Sequence, residues 1–289
     1  MKLAELFAEL KTLGREVLRN RILGLAGEVA FWAVFSLFPG LLIAAGLLST
    51  LDTLLGSHLS ANVEAQVLGA LRDVLTSKAS PLLESVGALF HDPSNKVLTT
   101  GALVSLWSIS SGMATAMEAL DIVYGVPDTR SWLRQRLVAI GLGVGTVLIF
   151  SAVLALLVVG PAFGGGDALA AKLGLGEAYA TAWDWLRAPA ALIALTLWTA
   201  TVFHLGPSFR SRWREAMPGA ILTALLSVLI SLTFRVYLGF SAEGNPVVGL
   251  LGGGLVLMLW FYLLAFVLLL GAQFNSLTRA RKANEARST

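Results

Sequence analysis

Charged and amide side chains are rare in the apolar parts of this chain, so those that occur there mark where chemistry could be done. Glu28 stands at the head of the run VAFWAVFSLFP, and Glu118 and Asp121 lie three residues apart, on one helical face, near the end of another. His204 and Arg235 fall in two further runs, and Gln273 and Asn275 close the last. An ionisable group at the middle of a membrane helix costs about 2.5–3.5 kcal/mol on insertion scales, which makes each of these a candidate for function. Two readings fit them. With Arg130, the residues Glu28, Glu118, Asp121, His204, Gln273 and Asn275 could form a polar vestibule or proton-linked site opening to one side. The same groups could instead pair with Arg130, Arg134 and their neighbours and only fix the helix ends. In either case Glu118 or Asp121 is expected within salt-bridge reach of Arg130 or Arg134.

Other chemistries lack their residues. The chain has no cysteine, which removes disulfides, thiolate metal sites and cysteine nucleophiles together. Its histidines are His58, His91 and His204, and no H-E-x-x-H string, clustered His/Asp set or phosphate loop occurs. No metal, cofactor or catalytic group is therefore expected. The string GGGD at residues 164–167 fits a G-x-G-D pattern, but it falls in an expected outer loop without a second aspartate at membrane depth.

The elements that must position these side chains are apolar runs long enough to cross a bilayer. Six are visible, near residues 29–51, 97–119, 137–159, 188–205, 217–238 and 248–275. Each is close to or above the ~20 residues that cover ~30 Å of hydrocarbon. Composition agrees: 56% of residues are hydrophobic and 13% charged, with a mean hydropathy of +0.76, whereas soluble domains are about 25% charged. The basic residues then set the orientation. Lys2, Lys11, Arg15, Arg19 and Arg21, the groups around Arg130 and Arg212, and those after Arg279 fall on one side. Arg72, Lys78, Lys96, Lys172, Arg187 and Arg235 fall on the other, and the acidic residues divide evenly. By the positive-inside rule both termini are cytoplasmic. The net charge of +3 and pI near 9.4 are thus read as topology rather than a nucleic-acid footprint.

Around the spans, Leu3, Leu6, Phe7, Leu10, Leu13, Val17, Leu18 and Ile22 recur at helical spacing among charges. This predicts an amphipathic helix along the cytoplasmic interface or packed on the spans. Two short amphipathic helices broken at Pro81, and another over 168–185, are expected on the outer face. The expected division is residues 1–24 as the interfacial helix, 25–278 as a six-span domain and 279–289 as a basic tail. Within the spans Pro39 predicts a kink, and Ser108, Ser111 and Gly112 offer a small polar face. Gly141 and Gly145, then Gly249 and Gly253, each satisfy G-x-x-x-G, and Gly252 and Gly253 leave the start of the last span bare. Packing, a groove, or homo-oligomer contact through small-residue faces would each use such residues.

The strings GEVAFWAVFSLFPGLL, LWSISSGMATAMEALDIVYGVPDTRSW, FHLGPSFRSRWREAMPGAIL and LVLMLWFYLLAFVLLLGAQFN occur in that order. Together they resemble the YihY/BrkB family of bacterial inner-membrane proteins, from residue 20 to 277. The resemblance implies six spans in the inner membrane. It places Ser36, Pro39, Trp107, Tyr124, Gly125, Arg130, Pro218, Gly219, Trp260, Gly271 and Asn275 at motif positions. Two departures stand out: Val248 where a tyrosine is frequent, and GAQFN in place of GAELN, so that Gln273 replaces a carboxylate. The family was long labelled ribonuclease BN, and some members are linked to serum resistance or to moving lipid precursors. RNA hydrolysis needs a metal cluster or an acid–base pair on an aqueous surface, and neither is present in the pattern.

The resulting expectation is an all-α integral membrane protein, not an enzyme, that moves a lipid-like or amphipathic envelope substrate. The alternative is a non-transporting scaffold or regulator of envelope assembly. Membrane lipids are its expected partners; nucleic acid is not. The groove for such a substrate is expected beside Pro39, Ser108, Ser111, Gly112, Gly252 and Gly253. A lateral cleft between spans favours the first reading, and a solid bundle the second.

Overall fold

Backbone polar groups in hydrocarbon have to be paired within their own segment, so long apolar runs become helices. A computed structural model describes residues 3–36, 95–154, 156, 177–209, 211–241 and 246–288, and every regular element among them is helical. In chain order these are α1 (Leu3–Arg19), α2 (Ile22–Ser36), α3 (Asn95–Tyr124), α4 (Trp132–Leu154), α5 (Glu177–Leu205), α6 (Trp213–Ser241) and α7 (Pro246–Ser288). Four stretches are long and apolar enough to cross a membrane: Trp132–Val153, Trp185–Leu205, Trp213–Tyr237 and Leu255–Ala286. They match the third to sixth expected spans. The second coincides with α3, and the first enters α2 and then leaves the described residues. Pro39, the outer helices expected around Pro81 and the 164–167 string also lie outside them.

Two joints have identifiable causes. α3 stops at a Schellman turn: Gly125 takes φ +65°, Val126 N–H donates to the Asp121 carbonyl at 3.0 Å, and Gly125 N–H donates to Ile122 at 3.1 Å. Between α1 and α2, Arg21 takes φ +52°, a left-handed conformation that disfavours a side-chain-bearing residue by roughly 1–2 kcal/mol. Its neighbour Asn20 donates from Nδ2 to Gln273 Oε1 at 2.8 Å, which ties this corner to α7. Elsewhere helices continue where breaks were expected. α5 runs from Glu177 straight through Pro189, so the outer helix expected up to Trp185 is there the same helix as the span. α7 carries the last apolar run and the basic tail as one helix of 43 residues.

Neighbours in the chain are neighbours in space. α3 packs on α4, α4 on α5, α5 on α6 and α6 on α7, and α7 returns to α3 to close a ring of five; α1 rests on α7. α2 lies against α3 where Gly112 admits Trp32 and Ser36, and the Ser36 hydroxyl reaches the Ser108 carbonyl at 3.0 Å. At the α6–α7 crossing Gly219 and Gly271 bring their backbones together, and a Cβ on either would strike the carbonyl of the other. Asn275 locks this crossing: Oδ1 accepts the Gly219 N–H at 2.7 Å, and Nδ2 donates to the Ala216 carbonyl at 3.0 Å. Pro218, the residue before Gly219, has no N–H, so the backbone bond to the Arg214 carbonyl is missing beside this joint.

Ile22, Met117, Leu120, Phe203 and Leu269 are fully buried and centre the core near the finishing turns of α3 and α5. Outward, Leu137, Leu148, Leu197, Leu229 and Leu255 are exposed, which suits acyl chains rather than water. The end that carries Arg130, Arg134 and Arg212 is called the basic end below.

Candidate functional site

α4 and α5 meet where Gly145 faces Trp198. A side chain at 145 would collide with the indole ring, and Trp198 Nε1 donates to Thr146 Oγ1 at 3.0 Å. Between this contact and the basic end a cleft of about 440 Å³ separates the two helices, a size within the range of small-molecule sites. Val138, Gly141 and Leu142 of α4 and Trp198 and Leu205 of α5 form its apolar walls. Arg130, Arg134, His204, Ser208 and Phe209 line it at the basic end. Arg134, Gly141 and Leu205 are exposed, so the cleft opens sideways between the helices.

Each polar group at the base has a separate role. Arg130 donates from Nη1 to the Gly206 carbonyl at 2.9 Å and from Nη2 to Leu205 at 3.1 Å, and also reaches the Pro207 carbonyl. Leu205 ends α5 and Gly206 and Pro207 follow it, so these carbonyls lack helical partners, and a cation there also complements the helix dipole. Asp121, 5% exposed, accepts the backbone N–H and the hydroxyl of Ser208. Asp128 Oδ1 lies 3.0 Å from the same hydroxyl and accepts the Arg130 N–H at 2.9 Å. A hydroxyl has one proton, so the two aspartates are alternative acceptors for it. The turn at 206–209 is thereby fixed from α3, from its connection to α4 and from α5. By contrast, Nδ1 of His204 is buried without a hydrogen-bond partner, and Arg134 has none among the described residues.

Phe209 forms the floor. Tyr124 packs edge-on against it at 5.2 Å between ring centres, and the Arg279 guanidinium lies 4.2 Å over its ring. Tyr124 is the last residue of α3, beyond the apolar run. Burial pushes its phenol up to about 12, while its hydrogen bond with Asn275 and the charge of Arg279 act in the other direction.

The structure brings Arg130 and His204 into this cleft and puts Asp121 directly behind it. Glu118 is exposed on α3 and accepts from Gln135 Nε2 at 3.3 Å; Glu28 is exposed on α2. Gln273 and Asn275 are buried in helix joints. The expected ion pair is not formed: Asp121 takes Ser208 and Glu118 takes Gln135, because the guanidinium of Arg130 is drawn to the carbonyls ending α5. Arg136 reaches along α3, donates to Ser111 Oγ at 3.1 Å and stacks 3.9 Å over Trp107. Ser108, Ser111 and Gly112 thus serve contacts of α3 with α2 and α4 rather than the cleft, and Gly252 and Gly253 lie in the early turns of α7. Trp198, Ser208 and Phe209 were not singled out by sequence reasoning, and Arg134 entered it only as an ion-pair partner for Glu118 or Asp121. A signal existed in Gly206-Pro207, which follows His204 after one residue and requires a turn at a span end near a titratable group.

Comparison with known proteins gives one consistent answer. Residues 13–289 match the virulence factor BrkB family. The ribonuclease-like protein YfkH of Bacillus subtilis is 28% identical over 260 residues, which cover 89% of this chain and 90% of that protein. A UPF0761 membrane protein of Chromobacterium violaceum is 23% identical over 95% of this chain and 63% of its own length. Another, from Stenotrophomonas maltophilia, is 26% identical over 91% of this chain and 59% of its own length. The chain thus spans about three-fifths of the length of these two UPF0761 relatives. No solved structure matches it. The chain belongs to the virulence factor BrkB family of membrane proteins.

Proposed function

We propose that this BrkB-family protein binds an amphipathic, lipid-like molecule in the cleft between α4 and α5 and carries it across the membrane. The observation that carries the reading is the sideways opening of the cleft, with Gly141 and Leu205 exposed on its rim. A water-soluble solute has no use for an entrance facing acyl chains, whereas a lipid can keep its tail in the bilayer while its head group enters. Apolar walls beneath Trp198 and polar groups at the basic end suit the two halves of such a molecule. The distribution of lysine and arginine directs this end to the cytoplasm, so loading is from the inner leaflet of a bacterial inner membrane. The name of YfkH points elsewhere, but the lining here holds one histidine and no carboxylate, which is not an acid–base pair for RNA hydrolysis.

The test is reconstitution in proteoliposomes with head-group- and chain-labelled fluorescent lipids, comparing wild type with Gly141→Leu. Nothing lies within 4 Å of a Cβ built at Gly141, so leucine fills the cleft and also favours the helix. Wild type is expected to move at least one lipid faster than protein-free vesicles, and the variant to fall back to that background. No movement by wild type, or equal movement by the two, would replace transport with a scaffold role.

A further inference from the structure

We propose that the cleft selects an anionic head group, a phosphate ester carried on an acyl chain, over zwitterionic and neutral ones. This rests on the lipid reading above and adds the chemistry of the head group. Every charged side chain that lines the cleft is cationic, and no carboxylate lines it. The nearest acids, Asp121 and Asp128, face Ser208 and are occupied by it and by the Arg130 backbone. A cationic ammonium group would also need acceptors. The carbonyls of Leu205, Gly206 and Pro207 are the acceptors at hand, and Arg130 covers all three.

What the base of the cleft still lacks is an acceptor. Arg134 presents a guanidinium without a partner at the rim, and the imidazole of His204 lines the cleft beside it. With the nearby acids and carbonyls already engaged, that guanidinium calls for an anion that enters with the ligand. Phosphate oxygens meet this need, and two of them suit the fork of Arg134, whose planar donors fit a phosphate two at a time. The chain attached to that phosphate would lie along Val138 and Leu142 toward Trp198.

The experiment uses the full chain in nanodiscs that contain equal amounts of phosphatidylglycerol and phosphatidylcholine with the same acyl chains. Lipids retained on the protein are counted by native mass spectrometry. Wild type is expected to retain phosphatidylglycerol about tenfold over phosphatidylcholine, the scale of one charge-assisted hydrogen bond. Arg134→Gln should bring the ratio close to one, and Arg134→Lys should keep most of it. Equal retention by wild type, or an unchanged ratio in Arg134→Gln, overturns the proposal. Millimolar inorganic phosphate and glycerol 3-phosphate are the second arm: displacement of the lipid by either overturns the lipid source and leaves a site for the free anion. Failure here is separable from failure of transport. Movement of both lipids at one rate in the vesicle assay keeps transport and overturns selection, while selective retention without movement keeps selection and overturns transport.

Discussion

Asp121 holds Ser208 twice, accepting its backbone N–H at 2.5 Å and its hydroxyl at 2.7 Å. The last turn of α3 thereby anchors the turn that follows α5, although the two lie 87 residues apart in the chain. Asp121→Asn keeps the shape and removes the charge, and should lower stability by about 1–2 kcal/mol. Combined with Ser208→Ala the loss should be smaller than the sum of the single losses, read by thermal unfolding in detergent. Additive losses would show that the two side chains are not coupled.

Gly145 and Gly141 lie one helical turn apart on α4 and should respond in opposite ways to the same change. Gly145→Leu drives Trp198 from its seat and should cost about 1–3 kcal/mol. Gly141→Leu enters open space and should fold at least as well as wild type. Tryptophan emission, compared with a Trp198→Phe background, shows whether the indole has moved. An unmoved Trp198 in Gly145→Leu would refute the packing assigned to it.

Asn275→Ala leaves the Gly219 N–H buried without its acceptor and should lower stability by about 1–3 kcal/mol. Amide exchange at Gly219 is the direct measurement: it should quicken in the variant well before global unfolding, and an unchanged rate would count against the bond.

Tyr124 should titrate late. Of the four tyrosines in the chain, it is pushed by burial from the ordinary 10.0 to about 12. The folded state prefers the neutral phenol, so its contribution to stability is fully present below pH 10 and is lost as pH rises through about 12. Absorbance of tyrosinate during an alkaline titration should show a component near the upper value that Tyr124→Phe removes.

Single cysteines at Ser94 and Ser288, in a chain that has none of its own, test the orientation. An impermeant thiol reagent applied to right-side-out and inverted vesicles should reach the two from opposite faces. Labelling of both from one face would end the six-span arrangement expected from the sequence.

Much of the fold was legible because hydrocarbon leaves the backbone few options. Run length and polarity alone located the helices that contain Trp132, Trp213 and Leu255, whereas Gly125, a motif position of the resembling family, showed its part in ending α3 only through its left-handed turn. The site was less legible. His204 and Arg130 stood out as charges at span ends, but the cleft depends on how α4 and α5 diverge, and that is set by Gly145 receiving Trp198. Spacing alone does not distinguish a glycine that admits a ring from one, such as Gly141, that leaves a space. The ion pair expected of Asp121 failed for a related reason: local pairing rules favour the arginine nearest in sequence, whereas the open carbonyls at the end of α5 compete for the same guanidinium. Gln273 was legible as an amide closing the last span and as a departure from the resembling family, but its tie to Asn20 depends on the left-handed corner at Arg21.

The unbroken course of α7 also has a practical side. From Arg279, which still touches Phe209, to Ser288 the helix advances about 14 Å at 1.5 Å per residue. A reporter domain fused after Ser288 would therefore stand on a stiff mast rather than swing on a tether. Each alanine inserted at the junction would turn it about 100° around the helix axis, so the bearing of a fused probe relative to the cleft could be set one residue at a time.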